Sequence, residues 1–568
     1  MLQNGEGKYT RRLEIWAEDR NFESTHQYPR LQKHNIQICD GTALCGRIIK
    51  NEINMEIIKR WLHLCKGHEK CSFNLKNAGD MRVIDVIEER VCYAANPDYA
   101  ALSYTWGPPR ITQLKLTKKI QDALFRTGGI REAPSTIKDA VKVCKGLGIR
   151  YLWVDALCIF QDGTSLDEIN DMDKIYAGAK ITIVSASGEN SWAGLPGVSP
   201  DTRKINQGLT VIDGLSLSTV QPSFRKAMEG TVWSTRGWTF QESVISPRLL
   251  IFTDAQVFYQ CKTDLWCEDT VLESTEQESS LELYLREWGD PLERLSLDEC
   301  GSLYEYTRLV QQYTLRHFTY QSDVIRAFMG ILGPLSKTLN TEFFACLPER
   351  YFDYALLFGV RAHTDPPKPP ERRPGFPSWS WAGWVTAGSG IGLEEYQEHR
   401  IHSIISWFRV QEDKIQWIPN VGINDADDYT MKALPDFHLP TDLQKSEVDN
   451  LLIFETTTAF LPVSFSFREP PYTVNIFAKD FAITFPKEVE WTYLDPDWRK
   501  TQPLYLEFIL IGVNEDRREE LEYDDSQALH IMLIETDKRG VSSRVEQFPI
   551  RRSVWESANP VRRVVFLI

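Results

Sequence analysis

Tyr99-Ala-Ala-Leu-Ser-Tyr-Thr-Trp-Gly-Pro-Pro109 is a short apolar run broken by a polar Gly-Pro turn, and it decides the fold. Ala100 to Tyr104 reads as a strand, and residues 105–109 end it. Pro134 then opens a helix at its first turn. Ile137, Ala140, Val141, Cys144 and Leu147 make its apolar stripe, and Gly146 and Gly148 close it. Tyr151 to Val154 is the second strand, followed by Asp155, Cys158, Gln161 and Asp162. A helix is expected from about Ser165 to Ala177, with Leu166, Ile169, Met172, Ile175 and Tyr176 on one face. Ile181 to Ser185 is the third strand. A stretch containing Gly, Pro and Ser, from Gly188 to Gly230, reads as an insertion, and Leu249 to Phe252 is the fourth strand. Strands alternating with amphipathic helices imply right-handed crossovers. The expected fold is therefore α/β, a doubly wound parallel sheet whose ligand crevice lies beyond the carboxyl ends of the strands.

Outward from this core, 568 residues exceed what one hydrophobic core supports, so several domains are expected. Residues 1–95 read as a lead-in region with a helix from Asn54 to Cys65, and residues 96–270 as the α/β domain. Residues 271–370 read as mainly helical, for example Tyr304 to Leu315 and Ser322 to Leu332, ending in a Pro-rich linker. Residues 371–568 carry short β-branched and aromatic runs, among them Val474 to Phe477, Leu504 to Ile511, Ala528 to Ile534 and Val561 to Ile568. They read as a separate β-rich C-terminal domain.

A formal charge of −15 argues against a broad nucleic-acid surface, because such binding needs Lys and Arg to neutralise phosphates. Met1 to Arg12 is too polar for a secretory leader, and no run of 18 apolar residues occurs. The expectation is a cytosolic or nuclear chain without a membrane span, with the cytoplasm as the assigned compartment. Eleven dispersed cysteines do not resemble a secreted disulfide framework, so reduced thiols are expected. Cys65, His68 and Cys71 are three soft donors three residues apart, one short of a structural zinc site. Packing at a helix end is the preferred reading, and no metal is expected.

Asp155, at a strand's carboxyl end, either faces the crevice or caps the following turn. Gln161 either orients a ligand or satisfies buried backbone. Glu168 is either a crevice carboxylate or the partner of a buried arginine. Trp106 and Trp238 read as core anchors before they read as stacking faces. No Walker A string and no His-Glu-x-x-His occurs, which removes support for a P-loop nucleotidase or a zincin protease.

Three strings in order and spacing carry a resemblance: Tyr99 to Gly107, Leu152-Trp-Val-Asp-Ala-Leu-Cys-Ile-Phe-Gln161, and Arg236-Gly-Trp-Thr-Phe-Gln-Glu242. Ile183-Val-Ser-Ala-Ser187 and Pro377-Ser-Trp-Ser-Trp-Ala-Gly383 extend it. Together they resemble the HET domain, the heterokaryon incompatibility domain of filamentous fungi. That resemblance implies nonself recognition in which cell fusion triggers growth arrest or death, with self-association and an unidentified protein partner. The family is distantly similar to TIR domains, which implies a TIR-like (flavodoxin-like) sheet and a candidate NAD hydrolase. NAD is then a candidate substrate, and no cofactor is required. Trp238-Thr-Phe-Gln-Glu242 is similar to the TIR string Trp-Cys-x-x-Glu, with Thr239 in place of Cys. Glu242 is the implied catalytic acid, with Glu168 as the alternate. Ser103, Tyr104, Trp106, Asp155, Gln161, Arg236, Trp238 and Gln241 are the implied ligand-binding residues. Read from the residues alone, Glu242 could equally be a helix-start carboxylate paired with Arg236 or Arg248. A non-enzymatic scaffold is the competing function.

Overall fold

The computed structural model describes residues 9–13, 46–71, 79–163, 171–203, 205, 207–212, 215–270, 303–360, 371–385, 391–393, 400–412, 414–420, 436–466, 473–478, 481–486, 504–515 and 528–568. The chain divides into two compact units, Met1–Ser296 and Leu297–Ile568.

The first unit is built on an eight-stranded sheet. Its strands are β1 (Asp80–Asp85), β2 (Arg90–Ala95), β3 (Tyr99–Ser103), β4 (Tyr151–Trp153), β5 (Ile181–Ser185), β6 (Arg248–Phe252), β7 (Val257–Cys261) and β8 (Leu265–Cys267). They run in the order β8-β7-β6-β5-β3-β4-β1-β2. The β4-β3-β5-β6 core is parallel, in register from Ala100 to both Leu152 and Ile181, and from Leu249 to Thr182. Numbered among themselves these four take the order 2-1-3-4, the flavodoxin-like pattern that crossovers of one hand produce. The sheet is mixed, because β1 joins β4 antiparallel and β7 joins β6 antiparallel. Residues 80–95, from the expected lead-in, therefore supply one edge of the sheet.

Every residue of β3, β5 and β6 is buried, which explains why these strands read as continuous apolar runs rather than alternating ones. Four helices pack with this sheet: α1 (Met55–Cys65), α2 (Ser135–Leu147), α3 (Met172–Gly178) and α4 (Gly237–Ile245). Helix α1 packs against α2, and α3 against α4, the two layers expected of double winding. Local signals fix their ends. Asn54 Oδ1 accepts from the backbone N–H groups of Glu56 and Ile57 at the start of α1. Gly148 takes the left-handed conformation, φ 70°, that closes α2. The helix expected from Ser165 is described only over α3, since residues 164–170 lie outside the described residues. Within the insertion, Leu209–Ile212 and Leu215–Thr219 form a hairpin that Tyr9–Leu13 extends in parallel. The Arg203–Glu268 ion pair, both side chains buried, ties the insertion to the segment after β8.

In the second unit, helices Leu303–Thr314 and Arg326–Leu339 accompany a ten-stranded sheet. The second helix runs past Leu332 with Pro334 in its interior, beyond the end expected from sequence. Strands Leu452–Ser466, Leu504–Glu515, Ala528–Thr536, Val541–Arg551 and Val561–Leu567 pair in a closed ring, because Leu452–Ser466 bonds both to Val561–Leu567 and to Leu504–Glu515. Leu461, Phe508, Ile531 and Phe548 share one face of this sheet and pack in one hydrophobic cluster with Trp555 of the helix Arg552–Ser557. No helix among the described residues is long and apolar enough to cross a membrane.

Candidate functional site

Strand β3 delivers Ser103 and Tyr104 at its carboxyl end, β4 delivers Asp155 two residues past its own, and α4 carries Glu242 across to Ser103. The Ser103 hydroxyl donates to Glu242 Oε2 and accepts from Trp233 Nε1 at 2.7 Å. Helix α4 is anchored by the serine at its C-cap. Ser246 Oγ lies 2.6 Å from the Glu242 carbonyl and 2.7 Å from Thr182 Oγ1 on β5. Thr239 bonds to the carbonyls of Trp233 at 2.6 Å and Arg236 at 2.8 Å, closing the turn into α4. A cysteine there would make those bonds poorly.

Glu242 is only 8% exposed, and burial pushes its carboxyl up to about 7 from an ordinary 4.5. The Ser103 and Tyr176 hydrogen bonds and the charge of Arg236 hold it down, while Asp155 pushes it up. Asp155, half-buried, is raised to about 6, again chiefly by burial, against the pull of Ala156 N–H, Trp106, Arg236 and Tyr104. Each carboxyl thus faces one tyrosine. Burial raises both phenols well above their usual range, so they remain neutral. Tyr176 has a second acceptor in the Leu102 carbonyl at 3.2 Å, and Tyr104 has one in Gln113 Oε1 at 3.3 Å. A phenol with two acceptors can donate to the carboxylate when it is ionised, and turn to the other acceptor when the carboxyl holds its proton. Two such carboxyls, mutually repelling, can exist with one ionised and one protonated at neutral pH.

Asp155 accepts from Trp106 Nε1 at 2.9 Å through one oxygen and from Ala156 N–H at 2.7 Å through the other. It therefore bonds the next backbone N–H of its own helical turn while lying close enough to Glu242 to push that carboxyl up. Gln161 donates to the carbonyls of Ile159 at 3.0 Å and Asp155 at 3.3 Å. Lys115 lies 4.7 Å over the Trp106 ring, covering one of its faces. Arg236 is half-buried and donates to the Tyr104 carbonyl at 3.4 Å. Trp238 is half-buried against the core, and Gln241 is buried on the same helix. Arg248 serves elsewhere, donating to Cys65 Sγ and to the carbonyls of Cys71 and Lys180. Glu168 lies outside the described residues. The sequence reading missed Trp233 and the polar role of Tyr176. Both act through their indole or phenol tips across long sequence distances, and no local pattern marks that.

It also lacked one thiol. Cys65, His68 and Cys71 are joined by Cys261, from the end of β7, with all four donor atoms within 4.8 Å of one another.

The fold and site define an α/β domain of flavodoxin-like order with two carboxyls raised above their ordinary range, buried Glu242 and half-buried Asp155, at the strand ends. Residues 99–242 match the model of the family described as Heterokaryon incompatibility protein (HET), about a quarter of the chain, and the chain carries a heterokaryon incompatibility domain. No curated protein and no solved structure matches the chain significantly.

Proposed function

We propose that this chain is an effector of heterokaryon incompatibility whose HET domain triggers growth arrest or cell death in the cytoplasm by hydrolysing NAD. The supporting observation is Glu242, a buried carboxyl raised to about 7, bonded to the β3 serine and electrostatically coupled to Asp155. Such pairs of perturbed carboxyls concentrate at catalytic sites. In the proposed step the C1′–N bond of the nicotinamide riboside breaks and nicotinamide leaves with the electron pair. Water then adds at C1′ and loses a proton. Ionised Glu242 stabilises the oxocarbenium-like centre and binds ribose hydroxyls, while Asp155, Tyr104 and Arg236 position the substrate. Self-association and a protein partner would bring the domains into their active arrangement. The test is chromatographic detection of nicotinamide released from NAD by the full chain, wild type against Glu242→Gln. Release by wild type alone supports the reading, and release by neither removes it.

The competing reading is a scaffold that signals by self-association. Its support is that Glu242 is 8% exposed and already partnered by Ser103 and Tyr176, as a structural carboxyl would be. A folded Glu242→Gln chain that still kills when overexpressed in a fungal host would favour it.

A further inference from the structure

Cys65 closes α1, His68 lies in the turn after it, and Cys71 ends the short 3₁₀ turn Glu69–Cys71. Cys261 comes from the far end of the domain's sequence, at the tip of the β7–β8 hairpin. The three cysteines are at most 2% exposed. Packing accounts for buried thiols singly, but not for three thiols converging with an imidazole turned toward the sulfurs. His68 Nδ1 lies 3.4 Å from Cys261 Sγ and 3.9 Å from Cys71 Sγ. A tetrahedral zinc with bonds of about 2.0 to 2.3 Å requires donor separations of roughly 3.5 to 3.8 Å, so these edges fit the polyhedron. All of these cysteines are free thiols.

The surroundings suit thiolates and a metal-bound imidazole. Asp264 Oδ2 sits 2.9 Å from His68 Nε2, on the ring nitrogen that faces away from the sulfurs. This is the carboxylate–histidine arrangement that leaves the other nitrogen free for a metal. The backbone N–H groups of Thr263 and Asp264 donate to Cys261 Sγ at 3.4 and 3.2 Å. Arg248 Nε donates to Cys65 Sγ at 3.2 Å, and its charge offsets the net negative charge of three thiolates around a divalent ion.

We propose that Cys65, His68, Cys71 and Cys261 bind one structural zinc ion. The set is closed, with four protein donors and no position for substrate, so the ion acts as a clamp. It fastens the turn after α1 to the β7–β8 hairpin, joining segments nearly 200 residues apart and holding α1 on the sheet. Thiolate-rich donors with one imidazole select zinc over the hard cations.

The test is elemental analysis by mass spectrometry of the full chain, purified under reductant, supplied with zinc and desalted. About one zinc per chain is expected. Chain without zinc, chain carrying iron instead, or a disulfide among these cysteines in the reduced protein would overturn the proposal. Cobalt replacement should give thiolate-to-metal charge-transfer bands, and their absence counts against it equally. Cys261→Ser should hold at least about tenfold less zinc, whereas Cys92→Ser, outside the cluster, should hold the wild-type amount. Should Cys261→Ser fail to fold, Asp264→Asn serves. It keeps all four donors and should lose zinc to a chromophoric chelator about 10- to 100-fold more readily, and wild-type retention would contradict His68 as a ligand.

Discussion

The carboxyl site and the thiol cluster stand on the same sheet and are assembled in opposite ways. The carboxyl site gathers residues from the carboxyl ends of central parallel strands and the helix that crosses them. Its motif residues Ser103, Tyr104, Asp155 and Glu242 belong to short strings whose spacing is set by one turn or one helix. The thiol cluster closes a loop of almost the whole domain, from the end of α1 to the hairpin beyond β7. Its first three members are local, and its fourth exists only in three dimensions. The first arrangement is tuned by desolvation, the second by convergence of donors. They should therefore respond to different perturbations.

The largest separation should come from chelation under reductant. Stripping the proposed zinc should lower the melting temperature on the order of 10 °C, corresponding to several kcal/mol for a unit of this size. Glu242→Gln should leave the zinc content unchanged. Scanning calorimetry with and without chelator checks this, and an unchanged melting curve would mean that the thiol cluster clamps nothing.

A pH series tests the carboxyl side. Glu242 titrates at about 7 in the folded chain against an ordinary 4.5, so the folded state holds its proton more tightly than the unfolded state does. Its contribution to stability is fully present below the lower value and is lost as pH rises through the higher one. Glu242→Gln should gain over wild type by up to about 3 kcal/mol at roughly pH 8 relative to roughly pH 4. Urea midpoints at the two pH values measure it, and a pH-independent difference would show that Glu242 is not held in this way.

Smaller effects should arise at its partners. Ser103→Ala deletes a bond that holds the Glu242 carboxyl down and strands the Trp233 indole N–H, costing roughly 1 to 3 kcal/mol and moving the Glu242 titration further up. Trp233→Phe keeps the ring in the core and loses only the donor, at about 1 kcal/mol. If the two variants cost the same, the serine hydroxyl contributes nothing of its own to Glu242.

Much of the fold was legible because its signals are local. Continuous apolar runs marked β3, β5 and β6, Pro134 and Gly148 bracketed α2, and the alternation of strand and helix implied the parallel order. The antiparallel additions were not legible. Strand β1 is mostly buried and β2 mostly half-buried or exposed, both in a charged stretch with no run like those of β3, β5 and β6, and only the pairing of β1 with β4 reveals where they belong. In the site, the motif residues Ser103, Tyr104, Asp155 and Glu242 were visible, and the indole and phenol tips that bond them were not. Cys261 was invisible for the same reason as Trp233. A single residue some 190 positions away carries no spacing signal.

Glu242 either performs chemistry or only closes a hydrogen-bond network, and the proposed function requires the first. Nicotinamide release from NAD by the full chain, measured across pH for wild type and Glu242→Gln, decides between them. Release should rise as pH passes through about 7, when Glu242 ionises, and fall on the order of 10² to 10³-fold in a folded Glu242→Gln chain. Equal release by the two proteins, or none from wild type, would contradict a catalytic Glu242.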